Sequence, residues 1–341
     1  MSEETSRMVE YRRARLERAG TTLPGRSYAS DEVFAEEVER IFYGQWFCIG
    51  RAEQIAAPRE YLLAQVASEN LLVLRDRAGV ARAFYNVCRH RGARLCTEPR
   101  GHLAETIQCP YHAWTYTLDG HLLAARHMQD VEGFDKGAYP LYGVAVAEWD
   151  GFLFLNLSSH PQPFEAVFAP LLGKFAAWLV GGLRCARRVE YQVKANWKLI
   201  VENYSECYHC PLIHPALDRL SPSDSGRNDL LEGPFLGGYM DLNHAGGSMT
   251  LTGATTRPPL GDLAGPDLNR VYYYSIFPNL LLSLHPDYVM AHVLWPEQAG
   301  STRVVCEWYF DPAAMARDDF DPEDAVEFWD MTNRQDWHAC E

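Results

Sequence analysis

Two short stretches of the sequence pair a thiol with an imidazole: Cys88-Arg89-His90 and, after eighteen intervening residues, Cys109-Pro110-Tyr111-His112. Three readings of this set compete. It could be a Cys₂His₂ zinc site, a two-iron two-sulfur cluster with the Cys pair on one iron and the His pair on the other, or residues with no shared role. Zinc modules usually pair like with like, as Cys-x₂-Cys and His-x₃-His. A two-iron cluster asks each loop for one ligand to each iron, and alternating Cys and His on both loops suits that demand. A second constellation follows. Glu202, Glu206 and His209 recur at i, i+4 and i+7, one face of a helix expected over 197–209. His214 lies five residues beyond His209, about 140° away on a straight helix, so the two imidazoles share a metal only if the chain bends. Pro211 is expected to supply that bend. Two His and one carboxylate leave open positions on Fe(II) for dioxygen.

Cys-Arg-His-Arg-Gly at 88–92 and Cys-Pro-Tyr-His-Ala-Trp at 109–114 resemble the two ligand boxes of the Rieske non-haem iron oxygenases. The stretch Asn-Trp-Lys-x₃-Glu-Asn-x₂-Glu-x₂-His-x₄-His, from Asn196 to His214, resembles the catalytic-iron motif of their large, terminal oxygenase subunit. The resemblance covers nearly the whole chain. It implies that Cys88 and Cys109 hold one cluster iron and His90 and His112 the other, with imidazole ligation raising the cluster potential. It also implies that His209 and His214 bind the mononuclear Fe(II) together with an Asp from a helix far downstream. Asn333-Arg334-Gln335-Asp336-Trp337 matches that helix best, which points to Asp336, with Asp330 as the fallback. Glu206 stands where most members carry an Asp that hydrogen-bonds an iron-ligand His and a cluster His of the neighbouring subunit. Glu in that place departs from the pattern. Glu206 and Asn203 are the candidate catalytic residues.

The wording Glu-Cys-Tyr-His-Cys-Pro at 206–211 and Phe-Pro-Asn-Leu-Leu at 277–281 resembles the branch acting on glycine betaine, choline, stachydrine or carnitine. The expected activity is hydroxylation or oxidative N-demethylation of a quaternary amine. The alternative is an aromatic ring-hydroxylating dioxygenase, and a distant one is a non-enzymatic zinc or electron-transfer Rieske protein. A cationic substrate asks for aromatic walls, for which Tyr204, Tyr239, Tyr274 and Phe277 are candidates alongside Tyr272 and Tyr273. Alternating strand aromatics are more often core. The resemblance further implies a reductase or ferredoxin donor, NAD(P)H used only through that partner, and a homotrimer. Family chains commonly run on past the third-ligand helix, whereas this one stops at Glu341, and a shortened terminus is expected to weaken iron retention.

Other reactive residues have blander readings. Cys207-x-x-Cys210 has the spacing of a redox or zinc pair, but it follows a helix rather than preceding one, and both thiols are expected to pack beside the iron helix. Cys96 reads as a small buried hydrophobe. His244, His285 and His292 lack partners at ligand spacing and read as surface or satisfied-core residues. Arg89, Arg91, Arg94 and Arg100 crowd the first ligand box, either as hydrogen-bonding support or as a docking patch for an acidic electron donor.

The elements that must position these groups follow from pattern and composition. With 341 residues, 47% hydrophobic, the chain is globular and long enough for about two domains. Its 31 basic against 45 acidic residues, net −14, argue against nucleic acid. Nine cysteines, with no signal peptide and no apolar run near the ~20 residues of a membrane span, suit metal chemistry in a reducing cytoplasm. The expected fold is α+β: a helical arm over 1–45 packing on the catalytic domain, an all-β Rieske domain over 46–157, and an α+β catalytic domain over 158–341 with an antiparallel sheet flanked by helices. A capped helix is expected from Ser30-Asp31 to Phe47. Another is expected at 164–181, half-buried and joining the domains, followed by a Gly/Pro/Ser-rich loop over 221–269. Strands are expected to return at 270–277, 280–285, 288–295 and 302–310.

Overall fold

The structure is a computed structural model and describes residues 22–341. Short alternating runs separated by turn residues build the first half. The strands are β1 (Phe47–Arg51), β2 (Glu60–Val66), β3 (Glu69–Arg75), β4 (Ala81–Tyr85), β5 (Arg100–His102), β6 (Ile107–Gln108), β7 (Thr115–Tyr116), β8 (Leu122–Ala124), β9 (Gly143–Trp149) and β10 (Phe152–Asn156). Seven of them pair in the order β1-β10-β9-β4-β3-β2-β5, and β6-β7-β8 form a separate three-stranded sheet. The Asp150-Gly151 hairpin joins β9 to β10 with both residues at positive φ, +47° and +77°, as a tight twisted hairpin requires. The ligand boxes occupy the β4–β5 and β6–β7 connections.

A second antiparallel sheet follows: β11 (Arg184–Val193), β12 (Arg227–Asp229), β13 (Phe235–Asp241), β14 (Arg270–Ile276), β15 (Leu280–Leu284), β16 (Val289–Gln298) and β17 (Ser301–Phe310), in the order β11-β17-β16-β15-β14-β13-β12. The period of two divides its side chains cleanly. Tyr274, Ile276, Leu280, Leu282 and Leu284 pack against Trp149, Phe152 and Phe154 of the first sheet. Val271, Leu281, Met290 and Trp308 pack on the other face against Val326, Phe328 and Trp329 of the C-terminal helix Glu323–Cys340.

Three elements differ from expectation. The 164–181 stretch is one α-turn, Phe164–Val167, followed by three 3₁₀ turns, because Pro170, Gly173 at φ +76° and Leu179 at φ +51° interrupt any continuous helix. Its Phe164, Phe168, Leu171, Phe175 and Trp178 are fully buried between the two sheets. The 221–269 loop contains β12 and β13, masked in the sequence by Gly237-Gly238. A Cβ on Gly238 would meet the Arg227 carbonyl oxygen at 2.1 Å, so glycine is what lets the edge strand close. The helix from Asp31 ends at Glu37, continues as a π turn over Val38–Phe42, and Phe47 already belongs to β1. Ser30 caps it by accepting from the Val33 N–H. This arm packs on the catalytic half: Glu37 bonds Lys198 Nζ (2.6 Å) and Trp197 Nε1 (2.9 Å), and Phe42 meets the Trp197 ring edge-on. The part of the expected arm before residue 22 lies outside the described residues.

Candidate metal centres

The two boxes of the first half fold alike. The Cys88 N–H bonds the Ala93 carbonyl and the Gly92 N–H returns to the Cys88 carbonyl; Cys109 does the same with Trp114 and Ala113. The fifth residue of each turn is left-handed, Gly92 at φ +71° and Ala113 at +56°. These matched turns bury both thiols, each 2% exposed, and leave both imidazoles exposed with their rings 4.8 Å apart. His90 lies flat on Trp114. Burial pushes the Cys88 thiol up, and the adjacent Cys109 adds to the shift. Burial, with His112 and Arg91 nearby, pulls His90 down toward the neutral form. Two adjacent buried thiols behind two exposed imidazoles are a donor set that a two-iron two-sulfur cluster satisfies. The fully buried Tyr116 hydroxyl lies 3.3 Å from Cys88 Sγ and accepts from the Arg89 N–H at 3.1 Å.

The second site is assembled from distant pieces. Asn196 caps the helix Trp197–Tyr204 through the Lys198 N–H. That helix ends before Glu206, so the single-face arrangement of Glu202, Glu206 and His209 does not occur, and Glu202 instead accepts from Tyr28. Pro211 is not the bend. It lies in the first turn of a new helix, Cys210–Ile213, where proline's missing N–H costs nothing, and the break comes earlier, across Ser205–His209. His214 then caps the helix Pro215–Leu220. The ligating atoms of His209, His214 and Asp336 lie within 4.8 Å of one another. Asp336 Oδ1 is 2.7 Å from His214 Nε2, 3.4 Å from His209 Nε2 and 2.7 Å from the Asn203 amide that donates to it. The outer nitrogens are also held: His209 Nδ1 by Glu206 (2.6 Å) and His214 Nδ1 by Gln335 (2.7 Å).

Each imidazole thus faces an acceptor at both nitrogens. That is satisfied by a second proton or by a cation in its place, so the residues fit a divalent metal. The electrostatics agree. The hydrogen bond to Asp336 lifts His209 to about 9 against burial, and Glu206 adds to it. Burial alone would raise Asp336, but hydrogen bonds from His209, His214 and Asn203 outweigh it and hold the carboxyl near 2. Asp330 is elsewhere, bonded to Tyr191 and Arg334.

A cavity of about 500 Å³ opens beside these residues, lined also by Tyr204, Tyr273 and Trp329. Tyr274 and Phe277 do not line it. Tyr274 points to the opposite sheet face, where it bonds Asp229, and Phe277 packs on Trp197. Tyr239 borders the cavity, but its ring is covered by Arg270 at 3.9 Å and packed against Tyr272. Strand parity selects Tyr273 instead. Its cross-strand neighbours are the small Gly238 and Ser283, its ring meets Tyr204 and Trp329 edge-on, and Ser283 bonds the Tyr204 hydroxyl (2.9 Å). Gln335, Tyr116, Trp114 and Trp329 were not singled out from the sequence. Gln335 is simply the neighbour of Asp336, whereas the Val271-x-Tyr273-x-Ser275 alternation carried the signal for Tyr273.

Cys207 and Cys210 are joined as a disulfide rather than packed as two thiols. Cys96 is buried, with its thiol pushed up to about 11 by that burial. His292 bonds Asn333 and His244 is exposed, but His285 is fully buried with neither nitrogen hydrogen-bonded, which differs from a satisfied core histidine. Arg89 is structural, donating to the Pro140 carbonyl and stacking on Tyr142, and Arg100 bonds Gln54; Arg91 and Arg94 are exposed beside the box. Among the described residues no helix is long and apolar enough to cross a membrane.

Residues 45–135 match the Rieske [2Fe-2S] domain family, and residues 181–341 match the ring hydroxylating alpha subunit (catalytic domain) family. The glycine betaine monooxygenase oxygenase subunit of Chromohalobacter salexigens is 33% identical over 94% of this chain and 78% of that protein. The carnitine monooxygenase oxygenase subunit of Acinetobacter baumannii is 41% identical over 57% of this chain and 53% of that one. A solved quaternary ammonium Rieske monooxygenase in complex with L-carnitine superimposes with a TM-score of 0.72 at 29% identity, covering 94% of this chain and 83% of that one. Naphthalene 1,2-dioxygenase from Rhodococcus, at 19% identity and a TM-score of 0.74 over 93% of this chain and 80% of that one, shares the fold.

Proposed function

The chain belongs to the Rieske non-haem iron oxygenases, oxidoreductases with a [2Fe-2S] cluster and a mononuclear iron, and from that premise we propose that it hydroxylates an N-methyl group of a quaternary amine. The observation that carries this reading is the convergence of His209, His214 and Asp336 at the edge of an aromatic-walled cavity. The names of the relatives, glycine betaine and carnitine monooxygenase oxygenase subunits, support the substrate class.

In this reading Cys88, Cys109, His90 and His112 hold the cluster, and His209, His214 and Asp336 hold the iron. When bound, the two groups supply electron relay and activation of dioxygen. The remaining work falls to the chain. Tyr204, Tyr273 and Trp329 shape a desolvated wall against which a methylammonium group is held by its charge. Asn203 fixes the Asp336 carboxylate, while Glu206 and Gln335 keep the Nδ1 protons in place so that both Nε2 atoms face the metal position. Hydroxylating a methyl beside nitrogen gives a carbinolamine, which collapses to the tertiary amine, formaldehyde and a proton. The net reaction is therefore demethylation.

Electrons come from NAD(P)H through a reductase partner, and a cytoplasmic location goes with that donor. Glu206 is half-exposed, and Tyr208 and Leu212 beside it are 95% and 87% exposed. This surface, set against the exposed His90/His112 edge, supports a homotrimer in which the cluster of one copy serves the iron of the next. The test is to reduce the protein anaerobically and admit oxygen with glycine betaine, carnitine, choline and stachydrine. Formaldehyde from at least one is expected. A diol from an aromatic acid, with no formaldehyde from any methylammonium compound, would contradict the proposal.

A further inference from the structure

We propose that Cys207 and Cys210 form a peroxide-sensitive thiol pair whose disulfide clamps the loop carrying His209. All nine cysteines lie among the described residues, and these two alone are joined while seven are free. Their Cα atoms are 5.0 Å apart, inside the range that a bridge spans without moving the backbone. Both border the same cavity as His209, His214 and Asp336, so an oxidant formed in that cavity meets them directly. Neither sulfur belongs to the set of converging ligand atoms.

The two differ in access. Cys207 is half-buried and Cys210 is 4% exposed, which makes Cys207 the attacking and Cys210 the resolving thiol. The oxidant is hydrogen peroxide, which dioxygen becomes when it takes two electrons and two protons without hydroxylating substrate. Cys207 sulfur attacks one peroxide oxygen, the O–O bond breaks, and water leaves behind a sulfenic acid. Cys210 sulfur displaces that hydroxyl as a second water and forms the S–S bond. Peroxide gains two electrons and each sulfur loses one. A small dithiol or glutathione-class thiol reverses the step by exchange.

The closed ring contains Tyr208 and His209, and the Cys210 N–H to Cys207 carbonyl bond (3.2 Å) runs across it. The disulfide therefore coexists with the geometry in which His209 faces Asp336, and holds it there. Opening the ring frees the segment on one side of the metal position. This last step rests on the reading that His209 binds iron, whereas the pairing of the thiols does not.

The full chain, reduced with a dithiol and freed of it, is titrated with hydrogen peroxide while cluster absorption is followed, then denatured, alkylated and mapped by peptide mass. Cys207 and Cys210 are expected to lose alkylation together, before the other cysteines, in a peptide two hydrogens lighter that the dithiol restores. Iron release to a chelator should be slower in the disulfide form, on the order of tenfold, with no such difference in Cys210→Ser or Cys207→Ser. Sulfinic acid on Cys207 with Cys210 still alkylated, or oxidation of the pair only after the other thiols, would overturn the pairing. Equal release from both redox forms would overturn the clamp. A reduced protein that binds no iron outside its cluster would fail the metal reading and the clamp with it, while the alkylation map still judges the pairing.

Discussion

Cys88 with His90 and Cys109 with His112 each come from one tight turn closed on its own backbone, whereas His209, His214 and Asp336 meet only because a C-terminal helix returns to a broken helix 122 residues earlier. The first centre keeps its thiols buried and its imidazoles at the surface; the second places His214 at 2% exposure and opens into a cavity. One arrangement suits passing electrons across a surface and the other suits keeping water from a reacting substrate. The supports differ as well. Backbone hydrogen bonds and Tyr116 hold the first set, while the side chains of Asn203, Glu206 and Gln335 fix the ligating groups of the second.

If the two centres are separately supported and joined only through Glu206, then Glu206→Gln should leave cluster absorption and iron content intact while lowering turnover roughly a hundredfold. Retained turnover would remove Glu206 from the link between them. Gln335→Leu acts within the second centre alone. It strands the buried Nδ1 proton of His214, and iron affinity by chelator competition should fall roughly 10- to 100-fold with an unchanged cluster spectrum. Unchanged affinity would mean that His214 needs no such partner.

Tyr116→Phe probes the first centre. Losing a hydroxyl beside Cys88 should lower the cluster potential by on the order of 60 mV, the one-electron equivalent of a ~1.4 kcal/mol hydrogen bond, and leave iron affinity at the second centre untouched. Voltammetry of the two proteins checks it. Arg94→Glu should have the smallest effect, a few-fold lower donor-dependent rate with weakened salt dependence; identical rates across ionic strength would end the docking role of this exposed arginine.

The same contrast explains what was legible in the sequence. The ligand boxes are local, so Cys and His spacing together with the family resemblance exposed them, and Ser30 announced its helix start through capping chemistry. The second centre was legible in its ligand types but not in its path. Periodicity carried the helix on to His209, although the break came at Ser205, and Pro211 opens a helix where it was expected to bend one. Gly237 and Gly238 hid a strand because their role is close backbone approach, which no propensity records. The cavity wall turned on parity: Tyr273 and Tyr274 are equivalent as residues, and only the register with Gly238 and Ser283 decides which one faces the cavity. Gln335 depends on tertiary placement that spacing does not encode, whereas the Cys207-x-x-Cys210 spacing did carry a redox-pair reading, which the position after a helix argued against.

Iron and acid-labile sulfide, measured on the protein and on Asp336→Ala, decide whether one chain carries two distinct iron centres with Asp336 completing the second. Two cluster irons with two sulfides plus one further iron are expected in the parent protein. In the variant only the further iron should be lost, with the cluster spectrum unchanged. Equal iron content in both proteins, or loss of sulfide along with the iron, would contradict it.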